Sequence, residues 1–159
     1  QCPVVELSDG TQIPQSITIA RYVARETGLA GSDNLEAAKI DAVVDTQREI
    51  NEIYYTKVFF EKDAAKKTEE TGKFLNEHLV KHVENMDKLK KAYSRNECYF
   101  VGDKLSWADL YVFQSIEALL KAMPQANEKF GDRYKPLMDA VHGNDKLKKY
   151  LDSRPKTDF

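Results

Sequence analysis

Two short pairs near the start of the sequence have side chains and backbone suited to holding a ligand: Cys2-Pro3 and, twelve positions after Pro3, Gln15-Ser16. Gln15-Ser16 stand where a helix begins. An amide, a hydroxyl and the unpaired N–H groups of a helix N-terminus together suit a carboxylate. Pro3 enters a short apolar run. A proline there is ordinarily an edge or turn residue. In the cis form it would turn the backbone groups of Cys2 outward to pair with a peptide-like ligand. Taken alone, Ser16 is an ordinary N-cap. Elsewhere, His78 and His82 stand four apart on one helix face, half of a metal site. The pattern offers no third ligand, so both read as surface histidines and no metal is expected. Cys2 and Cys98 do not make a disulfide framework, and Cys98 reads as a small buried apolar residue. Lys88, Lys90 and Lys91 read as a solvated helix end.

The elements that must position these residues follow from local signals. Val4, Val5 and Leu7 form a short β-type run, and Ser8-Asp9-Gly10-Thr11 is a hairpin turn with Gln12-Ile13 returning. A helix follows from about Ser16, with Ile17, Ala20, Tyr22 and Val23 as its apolar face and Gly28 at its C′ position. From there the pattern is helical. Asp33 and Glu36 have capping-box spacing and open a helix running to about Phe60. Its stripe is Ile40, Val43, Ile50 and Tyr54, and Asp41, Asp45, Arg48 and Glu52 form its polar face. The pattern weakens from Asp63 to Gly72, which predicts a break. A second long helix is expected from about Lys73 to Ser94, with Phe74, Leu75, Leu79, Val83 and Leu89 inward. Tyr99 to Gly102 is a short apolar connector. Ser106 caps a third helix ending before Pro124, Pro136 fits the first turn of a fourth, and Asn144 opens a fifth.

The whole is α+β with mostly α content. A strand pair with one helix cannot cover both faces of a sheet, so further chain is expected before Gln1. The net charge of −2 and pI near 6.0 argue against a nucleic-acid binder or a polybasic membrane protein. No apolar run reaches membrane-spanning length. Two cysteines and no signal-peptide pattern fit a reducing cytoplasm.

Pro3, the turn Asp9-Gly10, Gln15-Ser16-Ile17 and Ile19-Ala20-Arg21-Tyr22 together resemble the glutathione-binding half of a cytosolic glutathione transferase. Gly28-Leu29-Ala30-Gly31 is similar to the interdomain linker of the sigma class, the type found in invertebrates. Ser106-Trp107-Ala108-Asp109 is similar to the family's capping box, with Leu105 and Leu110 as its staple. Arg154-Pro155-Lys156-Thr157-Asp158-Phe159 resembles a sigma-class C-terminus. The resemblance runs through the whole chain in order. It implies two parts: residues 1–29, the C-terminal part of a thioredoxin-like domain, and residues 30–159, an all-helical domain.

By that resemblance Cys2 offers its backbone to the cysteinyl part of glutathione, and Pro3 is the family's cis-proline. Gln15 and Ser16 bind the γ-glutamyl carboxylate, and Gln1 adds a contact. Asp45-Thr46-Gln47-Arg48-Glu49 matches a segment that reaches the neighbouring subunit's site. Glu49 would pair there with the γ-glutamyl ammonium, which implies a homodimer; without the resemblance it is a solvated helix charge. In prostaglandin-isomerising relatives adjacent acids on this helix help bind a divalent cation. Arg48 replaces one of them here, so no metal is expected.

The family's mechanism uses a tyrosine hydroxyl to favour the glutathione thiolate, which attacks an apolar electrophile. That tyrosine is expected before Gln1, so no catalytic residue is assigned, and residues 1–159 alone are expected to be weakly active at most. Asn51, Tyr111, Ser115 and Phe159 are candidates for the second-substrate pocket, though packing alone would also explain Tyr111 and Phe159. Glutathione is then a co-substrate, and no tightly bound cofactor is implied. The alternatives are a prostaglandin-D-type isomerase and a non-catalytic crystallin-like or scaffold protein on the same fold.

Overall fold

The computed structural model describes residues 2–155. An antiparallel hairpin of β1 (Val4–Glu6) and β2 (Gln12–Pro14) leads into α1 (Ser16–Glu26). The turn closes as its residue types require. Gly10 has φ 84°, Leu7 donates to the Thr11 carbonyl at 2.9 Å, and Thr11 N–H donates to Asp9 at 2.9 Å. Helix α1 ends in a Schellman motif. Gly28 has φ 73°, and Leu29 N–H donates back to the Ala24 carbonyl at 2.8 Å. The buried face of α1 is Ala24, with Ile17 and Ala20 packed on the core; Val23, expected inside, is 47% exposed.

Helix α2 (Asn34–Ile53) continues into a π-helical turn at Tyr54–Phe59. Asp33 caps it through Glu36 N–H at 2.8 Å. The reciprocal arm expected of a capping box is shifted one residue, because the Glu36 carboxylate accepts from the Ser32 N–H at 2.6 Å and hydroxyl at 2.7 Å. Those bonds hold Glu36 below the usual carboxylate range. The break expected from Asp63 to Gly72 is largely helix. Helix α3 (Ala64–Lys73) starts at the Asp63 cap and passes through a second π turn (Phe74–His78) into α4 (Leu79–Tyr93). It buries no residue and so leaves no periodic signal.

Helix α5 (Trp107–Ala122) lies against α1, α2 and α7. A 3₁₀ turn (Pro124–Ala126) and the short α6 (Asn127–Phe130) lead to α7 (Lys135–His142), with Pro136 in its first turn. Helix α8 (Asp145–Ser153) is capped by Asn144, which accepts from Lys146 and Leu147 at 3.2 Å. The core is built from Ile40, Val43, Val44 and Ile50 of α2, Leu79, Val83 and Met86 of α4, Val112, Phe113 and Ile116 of α5, and Leu137 and Val141 of α7. Phe100 of the connector is fully buried beside them. Two expectations of burial change. Lys90 is half-buried, donates to the Glu97 carbonyl at 2.7 Å and lies over the Phe100 ring, and burial lowers its pKa. Cys98 is half-buried rather than buried.

Candidate functional site

Strand register brings the first two candidate pairs together. Val4 pairs with Pro14, so Cys2-Pro3 and Gln15-Ser16 extend from the same, open end of the hairpin. The Cys2–Pro3 peptide is cis. Cys2 is exposed and its thiol is free. Gln15 has φ 76°, the left-handed region, and is the sole non-glycine in it among the described residues. Holding a glutamine there costs about 1–3 kcal/mol, and such strain gathers at functional sites. Ser16 is not the N-cap that the sequence suggests. The left-handed bend makes Gln15 the N-cap, and its carbonyl accepts the first helical bond from Ile19 N–H at 2.9 Å. No side chain caps α1 among the described residues, which leaves its first amides without a side-chain acceptor, and free amides at a helix start are groups that can hold an anion. Gln1 lies outside the described residues.

Helix α1 is seated by Arg21, whose Nε donates to Asp41 of α2 at 3.0 Å and whose guanidinium lies 5.5 Å from the Trp107 ring centroid. Trp107 N–H donates to the Leu29 carbonyl at 3.0 Å, which ties the start of α5 to the end of α1. That start is itself rigid. Ser106 and Asp109 form a capping box, and the fully buried Asp109 accepts from Ser106 N–H (2.8 Å), Ser106 Oγ (2.7 Å) and Phe100 N–H (2.8 Å). Burial raises the Asp109 pKa against the lowering effect of those bonds. Leu105 and Leu110, which flank the box at the staple positions, both pack on the core.

A second cluster forms between α2, α4 and α5. Asn51 Nδ2 donates to the Tyr111 hydroxyl at 3.2 Å and to Ser115 Oγ at 3.0 Å. Gln47 Nε2 donates to Asn51 Oδ1 at 3.2 Å, and Gln47 Oε1 lies 3.1 Å from His82 Nε2. Three of the four residues proposed from sequence for an apolar pocket thus meet; Phe159 lies outside the described residues. Gln47 and His82 were missed as members. His82 is not a surface residue: it is buried against Gln47, and desolvation pushes its pKa down to about 4. His78 is exposed, and no group of three potential metal ligands occurs among the described residues. Asp45, Arg48 and Glu49 are all exposed on α2. A groove of about 690 Å³, lined by Asp87, Lys90, Arg95 and Arg133 among others, holds none of these candidates.

Residues 50–154 match a family described as glutathione S-transferase, C-terminal domain. The whole chain is 37% identical to glutathione S-transferase 2 of Manduca sexta and spans 76% of that relative. It is 31% identical, over 99% of its length and 75% of the relative's, to S-crystallin SL11 of Nototodarus sloanii. Among solved structures it is similar to prostaglandin synthase D of Nilaparvata lugens, with 32% identity, TM-score 0.85, and coverage of 99% of this chain and 76% of that one.

Proposed function

The chain belongs to the glutathione S-transferase family, and from that premise we propose that it serves as a sigma-class transferase, conjugating the thiolate of reduced glutathione to electrophilic, mostly apolar compounds. The sulfur forms its bond to carbon as a halide leaves, or as an activated double bond takes the sulfur and then a proton from water. The observation that carries the reading is the open end of the hairpin, where the cis Cys2–Pro3 peptide adjoins left-handed Gln15 at an uncapped helix start.

In this reading residues 1–29 hold glutathione and residues 30–159 form the helical domain that shapes the second pocket. The Cys2 backbone pairs with the cysteinyl unit. Gln15, Ser16 and the first amides of α1 hold the γ-glutamyl carboxylate, with Gln1 beside them. Glu49 of a second copy takes the γ-glutamyl ammonium, so the working form is a homodimer, placed in the cytoplasm. Asn51, Tyr111, Ser115 and Phe159 line the apolar side. The test is conjugation of glutathione to a chromogenic aryl halide by the protein as its gene encodes it. Gln15→Ala and Ser16→Ala should each raise KM for glutathione about tenfold, the loss of a hydrogen bond to a charged group, with kcat little changed. Unchanged KM in both would place the carboxylate elsewhere.

A second reading, isomerisation of a lipid endoperoxide, is favoured by the similarity to prostaglandin synthase D; turnover of an endoperoxide in preference to the aryl halide would select it. The S-crystallin similarity favours a non-catalytic role, which inactivity toward both compounds would select.

A further inference from the structure

The groove of about 690 Å³ where the end of α4 meets residues 94–97 and the start of α7 has a charge opposite to that of the chain. Lys90, Lys91, Arg95 and Arg133 line it, with only Asp87 and Glu97 to oppose them. Four cations against two acids leave a local charge of +2, in a chain whose net charge is −2. Lysines at a helix C-terminus ordinarily complement the helix dipole, and Lys90 and Lys91 stand in the last turn of α4. That reason does not extend to Arg95 and Arg133, which come from two other segments and line the same concavity. A cleft lined by one excess sign of charge concentrates the opposite one.

The segments that carry these charges are fixed by the chain itself. Arg95 N–H donates to the Gly102 carbonyl at 2.8 Å, and Gly102 N–H donates to the Tyr93 carbonyl at 2.9 Å. Asn96 Oδ1 accepts from the N–H groups of Cys98 and Tyr99, both at 2.8 Å. Arg133 is steered by Asp87, which accepts from its Nε at 2.9 Å, and its Nη1 donates to the Phe130 carbonyl at 3.3 Å. Lys91 and Arg95 are exposed, and neither side chain makes a hydrogen bond or ion pair among the described residues. Lys90 lies over the Phe100 ring, where burial works against its charge, and an anion beside it would favour that charge. Guanidinium forks and ammonium groups together suit a phosphate. A phosphate monoester carries a charge of about −2 near pH 7, which balances the groove, whereas a single carboxylate would leave half of the excess unmet. We infer that the groove binds the phosphate group of a small organic phosphate, with Lys91 and Arg95 as its main contacts and Lys90 and Arg133 completing the set. Its volume leaves room for an organic group beside the phosphate.

The experiment is a calorimetric titration of the protein as encoded, at about 0.1 M salt, with saturating glutathione present. The probes are adenosine monophosphate, inorganic phosphate and adenosine. The monophosphate should bind once per chain, inorganic phosphate should compete with it, and adenosine should not bind. Equal affinity for the two phosphates would make the phosphate the whole of the recognised group. A higher affinity for the monophosphate would show that the groove also holds the organic part. Either result fits the site. Lys91→Gln and Arg95→Gln, both at exposed positions, should each weaken binding of the monophosphate about tenfold. Glu97→Gln removes an opposing charge and should tighten binding about threefold, a change of sign that damage to the fold does not produce. Lys67→Gln removes the same charge from α3, outside the groove, and should change nothing. The absence of saturable binding at about 1 mM monophosphate overturns the site. Binding that survives both Lys91→Gln and Arg95→Gln unweakened places the phosphate elsewhere and overturns it as well. So does an equal weakening by Lys67→Gln, which would make net charge the cause, or adenosine binding as tightly as its monophosphate.

Discussion

A histidine ring buried with a single amide partner is a group whose charge the fold excludes. His82 is 7% exposed, and desolvation pushes its pKa down to about 4, against about 6.5 in an unfolded chain. Between those values the unfolded chain carries the extra proton and the folded one does not. Stability is therefore full above pH 6.5, is lost as pH falls through this window, and levels off below about 4, a loss of about 3 kcal/mol. His82→Gln supplies a side chain that can still donate to Gln47 but has no titrating ring. Urea midpoints at pH 7.5 and pH 4.5 should differ much less in this variant than in the wild type; equal differences would mean that His82 is protonated in the folded state. The sequence reads His82 as a surface residue because it and His78, one turn away, come with no third metal ligand. What buries it is Gln47, 35 positions away, whose own neighbours on α2 read as a charged stretch. Gln15 was hidden in another way: its residue type and position were legible, its left-handed backbone was not, because nothing about a glutamine announces positive φ. Ser115, Asn51 and Tyr111 were named by resemblance, but their convergence depends on a helix crossing that no local pattern encodes.

Helices whose ends carry their own signals were legible at the level of elements. Gly28, Ser106, Pro136 and Asn144 stand at or next to the ends that α1, α5, α7 and α8 adopt, because capping is a transaction among neighbours. The π turns were not legible. Each inserts one extra residue into a helix, and the one at Tyr54–Phe59 is matched by contacts distant in sequence, such as the Tyr54 ring 5.5 Å from the Phe74 ring. Helix α3 was missed for the opposite reason. It is polar all round, and what fixes it is local but weak: the Asp63 cap at 2.8 Å, the Lys73–Glu69 pair at 2.6 Å, and the Lys66–Glu61 pair at 2.7 Å. Lys66 and the amides of Asp63 and Lys62 hold Glu61 down at about 2, yet exposed pairs of this kind add little to stability. The cap is the larger contribution. Asp63→Ala should therefore loosen α3 by about 1 kcal/mol without moving the global unfolding midpoint. Amide exchange over residues 64–70 should quicken about fivefold while exchange in α5 stays the same. Equal protection in both proteins would show that packing, rather than the cap, nucleates this helix.

Across the whole molecule, the hairpin that carries the proposed glutathione site is held to the helical body chiefly through α1. Arg21 spans from α1 to Asp41 and Trp107, and the Leu29 carbonyl takes the Trp107 N–H. The two halves of the proposed chemistry are thereby referenced to one element, α5, which carries Trp107 at its start and Tyr111 and Ser115 one and two turns later. Helix α2 divides its residues between the two sides. Val43, Val44, Gln47 and Ile50 face the core, while Asp45, Arg48, Glu49 and Glu52 stand in solvent. An exposed face with both signs of charge suits a partner held by charge complementarity, and the proposed homodimer uses it, with Glu49 reaching the second copy's glutathione. The protein as encoded should therefore sediment as a dimer at 0.1 M salt. Because exposed charges are screened over about 3 Å at 1 M salt and about 10 Å at 0.1 M, the dimer should weaken as salt rises, unlike one held by apolar burial. Glu49→Gln removes the charge but keeps the shape. It should leave the dimer mass intact at low salt and raise KM for glutathione by about tenfold, the effect of losing an ion-paired hydrogen bond. A protein that remains monomeric while it binds and conjugates glutathione with wild-type constants would overturn the shared site, and Glu49 would then be an ordinary solvated charge on α2.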